Sequence, residues 1–380
     1  MIYLDHHAAT PLMPEVREAM DRAATKGWAN PSSTHAAGRA AKRYLEHARD
    51  QVAAAVASSP SDVVLTGGGT EACNLGVRGL AEGRRRIITT AIEHPAVERS
   101  VNRLAEAGAE VVVLPVSAGI PPTPGALDAL IEDDSLVAIQ WVNHETGTVF
   151  PVAAYAEVCR ARGARLFVDA TQALGKVPVE VERLGADAVA FAAQKIGGPP
   201  GAGACWVRRG IDLTPVLDGG SQERGRWPGT PDTVAMVGFG QAAALADARL
   251  SGQEALGALR DRIETELLGL GAVRNGSGPR VATVANLSFE GWEGAVLVAA
   301  LDVEGVCAST GAACSSGLQE PSAVLRAMYP DEQWRAGSAV RISLGIETTE
   351  AEIVRAGTAF DAVLARAGSA NLKRIRAPGN

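Results

Sequence analysis

The sequence predicts an α/β protein: a large domain built on a mainly parallel, seven-stranded sheet, followed by a smaller α+β domain. Three observations lead there. Short apolar, β-rich runs alternate with longer helical stretches from about residue 40 to 250. That rhythm changes after about residue 250. The 380 residues also exceed the roughly 250–300 at which a single core stops growing.

The candidate strands are, in order, Val63–Thr66, Arg86–Thr90, Val111–Pro115, Leu136–Val142, Arg165–Asp169, Ala188–Phe191 and Gly203–Arg208. A helix beginning near Thr70 and carrying Ala72, Leu75, Val77 and Leu80 joins the first two. Functional residues are then expected in the loops beyond the strand ends. After residue 250 come a polar helix (Gln253–Leu268), a strand near Thr283–Phe289, a helix (Gly294–Leu301) and a strand (Val306–Ser309). A Gly/Ala/Ser loop and further helices follow. The expected division is residues 16–250 for the large domain, 1–15 and 251–370 for the small one, and a frayed basic tail over 371–380.

Composition narrows the function. A net charge of −7 lacks the basic patch of a nucleic-acid binder, so no direct nucleic-acid contact is expected. No stretch approaches the ~20 apolar residues of a membrane span. The opening MIYLDHHAATP has no basic segment leading into an apolar one, so a cytoplasmic location is expected. Five cysteines, at 73, 159, 205, 307 and 314, are too scattered for a disulfide framework or a zinc site, and no metal is expected. Four read as small core-filling thiols. Cys314 does not, because Ser309-Thr310-Gly311-Ala312-Ala313-Cys314-Ser315-Ser316-Gly317 gives it only small neighbours.

Three further segments carry candidate chemistry. Thr66-Gly67-Gly68-Gly69-Thr70-Glu71 follows a β-run and opens a helix, where free N–H groups suit a phosphate and Thr70 can add a hydroxyl or cap the helix. Alone, such a turn is equally compatible with an ordinary helix start; it is neither a P-loop nor a complete dinucleotide fingerprint. Asp169 ends the strand Arg165–Asp169. An acid there commonly caps a turn, but it can also keep a cofactor's pyridine nitrogen protonated. Lys195 stands 26 residues after Asp169, beyond the next strand and beside Gly197-Gly198-Pro199-Pro200-Gly201. A solvated lysine is the usual outcome at such a place. Here amine and carboxylate can converge on one sheet edge, as an imine-forming lysine and its pyridinium partner must.

Taken in order, these segments resemble the cysteine desulfurases of the class V aminotransferase family, fold-type I pyridoxal-phosphate enzymes. The resemblance runs almost the full length. It rests on Tyr3-Leu4-Asp5 through Thr10-Pro11, Asn30-Pro31-Ser32-Ser33 with His35 and Gly38, Gly69-Thr70-Glu71 with Asn74, and Glu93-His94. It continues through Asn143-His144-Glu145 with Gly147, Asp169-Ala170-Thr171-Gln172, Lys195, Glu223-Arg224-Gly225 with Gly229-Thr230, Cys314, and Arg341-Ile342-Ser343-Leu344-Gly345.

The resemblance implies pyridoxal 5'-phosphate carried by Lys195, with His94 stacked on its ring and serving as an acid–base group. It implies Asp169 at the pyridine nitrogen, Gln172 at the ring hydroxyl, and Gly69 and Thr70 at the phosphate. Thr230 would reach the phosphate of the neighbouring subunit in a homodimer. Arg341 would grip the carboxylate of L-cysteine in a bidentate pair. Cys314 would take the sulfur for a sulfur-acceptor protein, as in iron–sulfur cluster assembly. About 26 residues lie between Cys314 and Arg341, which resembles the branch with the longer cysteine loop.

Three places depart from the family pattern. Ser-x-His-Lys becomes Ala192-Ala193-Gln194-Lys195, so Gln194 would meet the phosphate in place of an imidazole. Paired asparagines become Asn143-His144, setting His144 near the ring hydroxyl or substrate. Arg-Ser-Gly-Thr becomes Trp227-Pro228-Gly229-Thr230. Selenocysteine lyase and a non-catalytic scaffold within a sulfur-transfer complex remain the alternatives.

Overall fold

The computed structural model describes residues 1–311 and 320–375, with side chains through 366. Strand β1 (Ile2–Tyr3) opens the chain. The large sheet follows, built from β2 (Val63–Thr66), β3 (Arg86–Thr90), β4 (Glu110–Leu114), β5 (Ser135–Gln140), β6 (Arg165–Asp169), β7 (Ala188–Ala192) and β8 (Gly203–Val207). Its order is β2-β8-β7-β6-β5-β3-β4, and only β8 runs against its neighbours. The seven expected strands are all present, with boundaries shifted by at most two residues.

Burial explains their composition. Strands β5, β7 and β8 are enclosed along their whole length, as their continuous apolar runs require when helices cover both faces. Edge strand β4 is partly exposed and charged at its start, and its edge is thereby less able to pair with another chain.

The C-terminal region holds β9 (Val273–Arg274), β10 (Val284–Ser288), β11 (Val306–Cys307) and β12 (Ala339–Ser343). Strand β10 pairs antiparallel with both β9 and β12, while β11 pairs parallel with β1. Ile2 and Leu4 accordingly pack in one core with Leu256, Ile263, Leu287, Leu301, Ile342 and Phe360. The chain's start and end thus share a hydrophobic cluster separate from those of the large sheet. The N-terminal segment continues beside β12, where His6 N–H donates to Ser343 O at 3.3 Å and His7 N–H to Ser343 Oγ at 2.9 Å.

Two expectations are corrected. The last helix runs Glu350–Ile375, beyond residue 371 where a tail was expected to begin. Asn371-Leu372-Lys373-Arg374-Ile375 contains no helix breaker, and the first proline stands at 378. Cys73, Cys159 and Cys205 are buried, as expected of core thiols. Cys307 is only half-buried, because its two-residue strand pairs on one side with the equally short β1. Among the described residues no helix is long and apolar enough to cross a membrane.

Candidate active site

The C-terminal ends of β5, β6 and β7 bring the candidate residues together. Asp169 closes β6 and is buried; one carboxylate oxygen accepts from Thr171 N–H at 3.0 Å, the turn-capping contact expected of an acid there. It also bonds the Cys73 thiol, whose pKa is pushed well up by burial and then by that carboxylate. Asp169 pairs in register with Ala190 of the parallel strand β7. Five residues further on, at the end of a one-turn 3₁₀ segment (Ala193–Lys195), Lys195 extends its amine to the carbonyls of His7 at 2.8 Å and Ala8 at 2.7 Å. Amine and carboxylate thus follow adjacent parallel strands, and the charges of both act on His94.

His94 caps the helix Pro95–Glu106, its Nδ1 accepting from Ala96 N–H at 3.1 Å. A neutral ring with Nδ1 so used carries its proton on Nε2. Burial lowers its pKa; Asp169 opposes that shift and Lys195 reinforces it. The His144 ring meets it edge-on, centroids 5.2 Å apart at 81°. Burial, followed by His94, Arg341 and Lys195, drives the His144 pKa well below its ordinary value, so this ring is neutral at physiological pH. Its Nδ1 is buried without a partner among the described residues.

Arg341, on β12, is 2% exposed. Nη2 pairs with Asp5 Oδ1 at 2.7 Å, Nη1 donates to His144 O at 3.0 Å, and Nε has no partner among the described residues. The guanidinium thus ties the N-terminal segment to the loop after β5 and still holds donor capacity for a ligand. Its backbone brackets Ser309, with Arg341 N–H donating to Ser309 O at 2.6 Å and Ser309 N–H to Arg341 O at 3.2 Å. Cys314 lies outside the described residues.

The glycine turn shows why its residues are small. Gly68, at φ +150°, is the N-cap of the helix Gly69–Leu80. Thr70 therefore lies two positions too late to cap it, correcting that expectation; it is exposed at the second helical position. A Cβ at Gly69 would stand 2.9 Å from Ala192 Cβ and 3.0 Å from Thr171 Cγ2. Ala192 thus faces the turn itself. Thr230 is exposed and lines a cavity of about 290 Å³ with Thr66, Gly67, Glu71 and Trp227 of the same chain. Gln194 accepts from Thr10 N–H through its backbone carbonyl at 2.8 Å, and its side-chain oxygen is buried without a partner among the described residues.

Several residues that meet here had no role assigned from sequence. His7 is buried, with Nε2 accepting from Thr283 Oγ1 at 3.0 Å and Nδ1 donating to His144 O at 3.4 Å. Glu145 is buried, accepts from Ser322 Oγ at 2.6 Å, and has a pKa raised to about 7, chiefly by burial. Lys176 donates to Gln172 Oε1 at 2.6 Å. His7 and Glu145 stand within the segments of resemblance quoted above. Lys176 offered one signal only, its spacing of four from Gln172 in a turn.

These groups fit a phosphorylated pyridine aldehyde. An amine, a buried carboxylate and a neutral imidazole converge, and a glycine turn leaves a cradle that a single Cβ would fill. The unpartnered Gln194 amide can turn end for end to offer an N–H to an anion.

Comparison with known proteins agrees with this geometry. The family model described as aminotransferase class-V matches residues 2–355. The chain is similar to an IscS-like cysteine desulfurase of Mycobacterium tuberculosis, 41% identical over 98% of each chain. It is also similar to a solved NifS-like protein, TM-score 0.90 at 31% identity, covering 96% of this chain and 99% of that one. A solved structure described as SspA in complex with cysteine matches with TM-score 0.78 at 27% identity, over 92% of this chain and 100% of that one.

Proposed function

The chain belongs to the aminotransferase class-V family, and from that premise we propose that it is a pyridoxal-phosphate-dependent cysteine desulfurase. It converts L-cysteine to L-alanine and leaves the sulfur on Cys314 as a persulfide. The observation that carries this reading is that Lys195 and Asp169 follow adjacent parallel strands and that the charges of both act on His94. The full-length likeness to a cysteine desulfurase and to a protein solved with cysteine supports the choice of substrate.

Lys195 would attach the cofactor, Asp169 would pair with its ring nitrogen, His94 would cover its ring and Gln172 would approach its ring oxygen. The amides of Gly69 and Thr70 and the Gln194 side chain would meet the phosphate. When bound, the cofactor supplies the electron sink for a carbanion at the substrate α-carbon. Lys195 Nζ, held by the His7 and Ala8 carbonyls, takes the α-proton and returns it. His94, neutral and protonated on Nε2, can donate or shuttle a proton there. Arg341 orients the substrate carboxylate with the donor capacity that Asp5 and His144 leave over. The Cys314 thiolate attacks the substrate sulfur: one S–S bond forms, the substrate C–S bond breaks, and a proton completes alanine. We read the enzyme as a cytoplasmic homodimer in which Thr230 reaches the neighbour's phosphate, and the persulfide passes to an acceptor protein.

Borohydride treatment followed by peptide mapping tests the site. The cofactor should be fixed to Lys195, and Lys195→Ala should release no alanine from cysteine. Cofactor fixed to Lys176 instead would overturn the assignment. Turnover of selenocysteine but not cysteine would overturn the choice of substrate.

A further inference from the structure

Resting on the reading above, in which Gln172 faces the cofactor's ring oxygen, we propose that Lys176 is a positioning residue that sets which end of the Gln172 amide does so. Lys176 Nζ donates to Gln172 Oε1 at 2.6 Å, and Gln172 Nε2 donates to the His7 carbonyl at 2.8 Å. Together these contacts leave the amide one orientation. A backbone carbonyl only accepts and so demands the amide nitrogen. A lysine carries N–H donors in either charge state and is best met by the amide oxygen. Turned end for end, the amide would set its oxygen against the His7 carbonyl and lose that bond outright, and its NH₂ would meet Lys176 only through the lone pair of an uncharged amine.

The orientation matters because the ring oxygen expected at Gln172 is an acceptor. With Nε2 bound once to His7, the amide keeps a second N–H for it; the reversed amide would present a lone pair. The same His7 carbonyl accepts from Lys195 Nζ at 2.8 Å. Lys176, Gln172, His7 and Lys195 therefore form one hydrogen-bonded chain ending at the residue that attaches the cofactor.

Lys176 is a costly residue to place here. Burial lowers its pKa well below the usual lysine range, and Lys195, Arg249 and Arg341 lower it further. Packing alone is served better by an apolar side chain of the same length. Its contact with Gln172 gives the amine a reason to remain.

A double-mutant cycle on the full chain tests this, using wild type, Lys176→Met, Gln172→Ala and the double variant. Pyridoxal 5'-phosphate is titrated into each apoprotein, reading affinity and the absorbance maximum of the bound cofactor. Lys176→Met should weaken binding about tenfold and shift the maximum, because the freed amide no longer presents its N–H. In the Gln172→Ala background the same change should alter affinity by less than about twofold and leave the maximum in place. Equal losses in both backgrounds would show that Lys176 does not act through Gln172 and would sink the inference. Lys176→Arg keeps a donor and should stay within about threefold of wild type. A loss equal to that of Lys176→Met would implicate packing instead. Wild type that takes up no cofactor saturably would overturn the site reading along with this inference; saturable uptake with an additive cycle overturns this inference alone.

Discussion

Arg341 pairs through Nη2 with Oδ1 of Asp5 at 2.7 Å, although they stand 336 positions apart in the chain. The contact joins the C-terminal sheet to the segment whose carbonyls hold Lys195, so the candidate substrate arginine and the candidate cofactor lysine are braced by one stretch of chain.

That brace makes Arg341→Ala a test with two parts. Loss of a charge-assisted pair to the substrate carboxylate, worth roughly 1.5–3 kcal/mol, should raise KM for cysteine about ten- to a hundredfold. Asp5 also loses its partner, so the melting temperature should fall as well. Cofactor affinity should barely change. A large loss of cofactor with KM intact would remove Arg341 from the substrate site.

Sulfur should appear on Cys314 and nowhere else. Burial pushes the Cys159 and Cys205 thiols up to about 12, and Cys73 well above its ordinary value. The half-buried Cys307 is also raised, by burial and by Asp302. Each is kept as the unreactive thiol. Mass spectrometry after cysteine treatment should find the added sulfur on the Cys314 peptide. Cys314→Ser should keep the cofactor spectrum and lose the persulfide. Persulfide on Cys307 would refute the assignment.

Glu145 should make stability fall with rising pH. Its carboxyl is raised from 4.5 to about 7 by burial, against the opposing effects of Ser322 and Arg341, with His144 Nε2 at 3.8 Å. A raised acid favours the protonated form in the folded state. Its contribution is therefore complete below the unfolded value and is lost as pH rises through about 7. Glu145→Gln keeps an amide near Ser322 and should be more stable than wild type at pH 8, relative to pH 5, by up to about 3 kcal/mol. Denaturant melts at the two pH values measure it; a difference that is zero or reversed would show that Glu145 ionises normally.

The phosphate site should respond to reversion of its departures. Ala192 faces Gly69 without a donor, and Gln194 has an unpartnered amide oxygen. Ala192→Ser with Gln194→His should tighten cofactor binding, each new bond to a charged oxygen being worth about 1.5–3 kcal/mol. Thr230→Ala should weaken it. Titration into apoprotein reads both effects. Unchanged affinity after the double reversion would mean that other groups hold the phosphate.

The large sheet and the residues at its strand ends were legible in the sequence. β-rich runs and their alternation with helical stretches are local properties, so Val63–Thr66, Arg86–Thr90 and Arg165–Asp169 could be delimited from neighbours alone. The convergence of Asp169 with Lys195 followed from one further rule, that adjacent parallel strands end on the same edge. The cap lies at Gly68, two positions before Thr70, because three consecutive glycines leave open which of them ends the turn. Tertiary structure decided everything that depends on distant partners. Only folding puts Asp5 against Arg341, the His7 carbonyl under both Lys195 and Gln172, and Ser322 against Glu145. The pKa shifts of Glu145, His144 and Lys176 were hidden for the same reason. Desolvation and charge proximity are set by which segments pack around a group, and here those segments come from both ends of the chain.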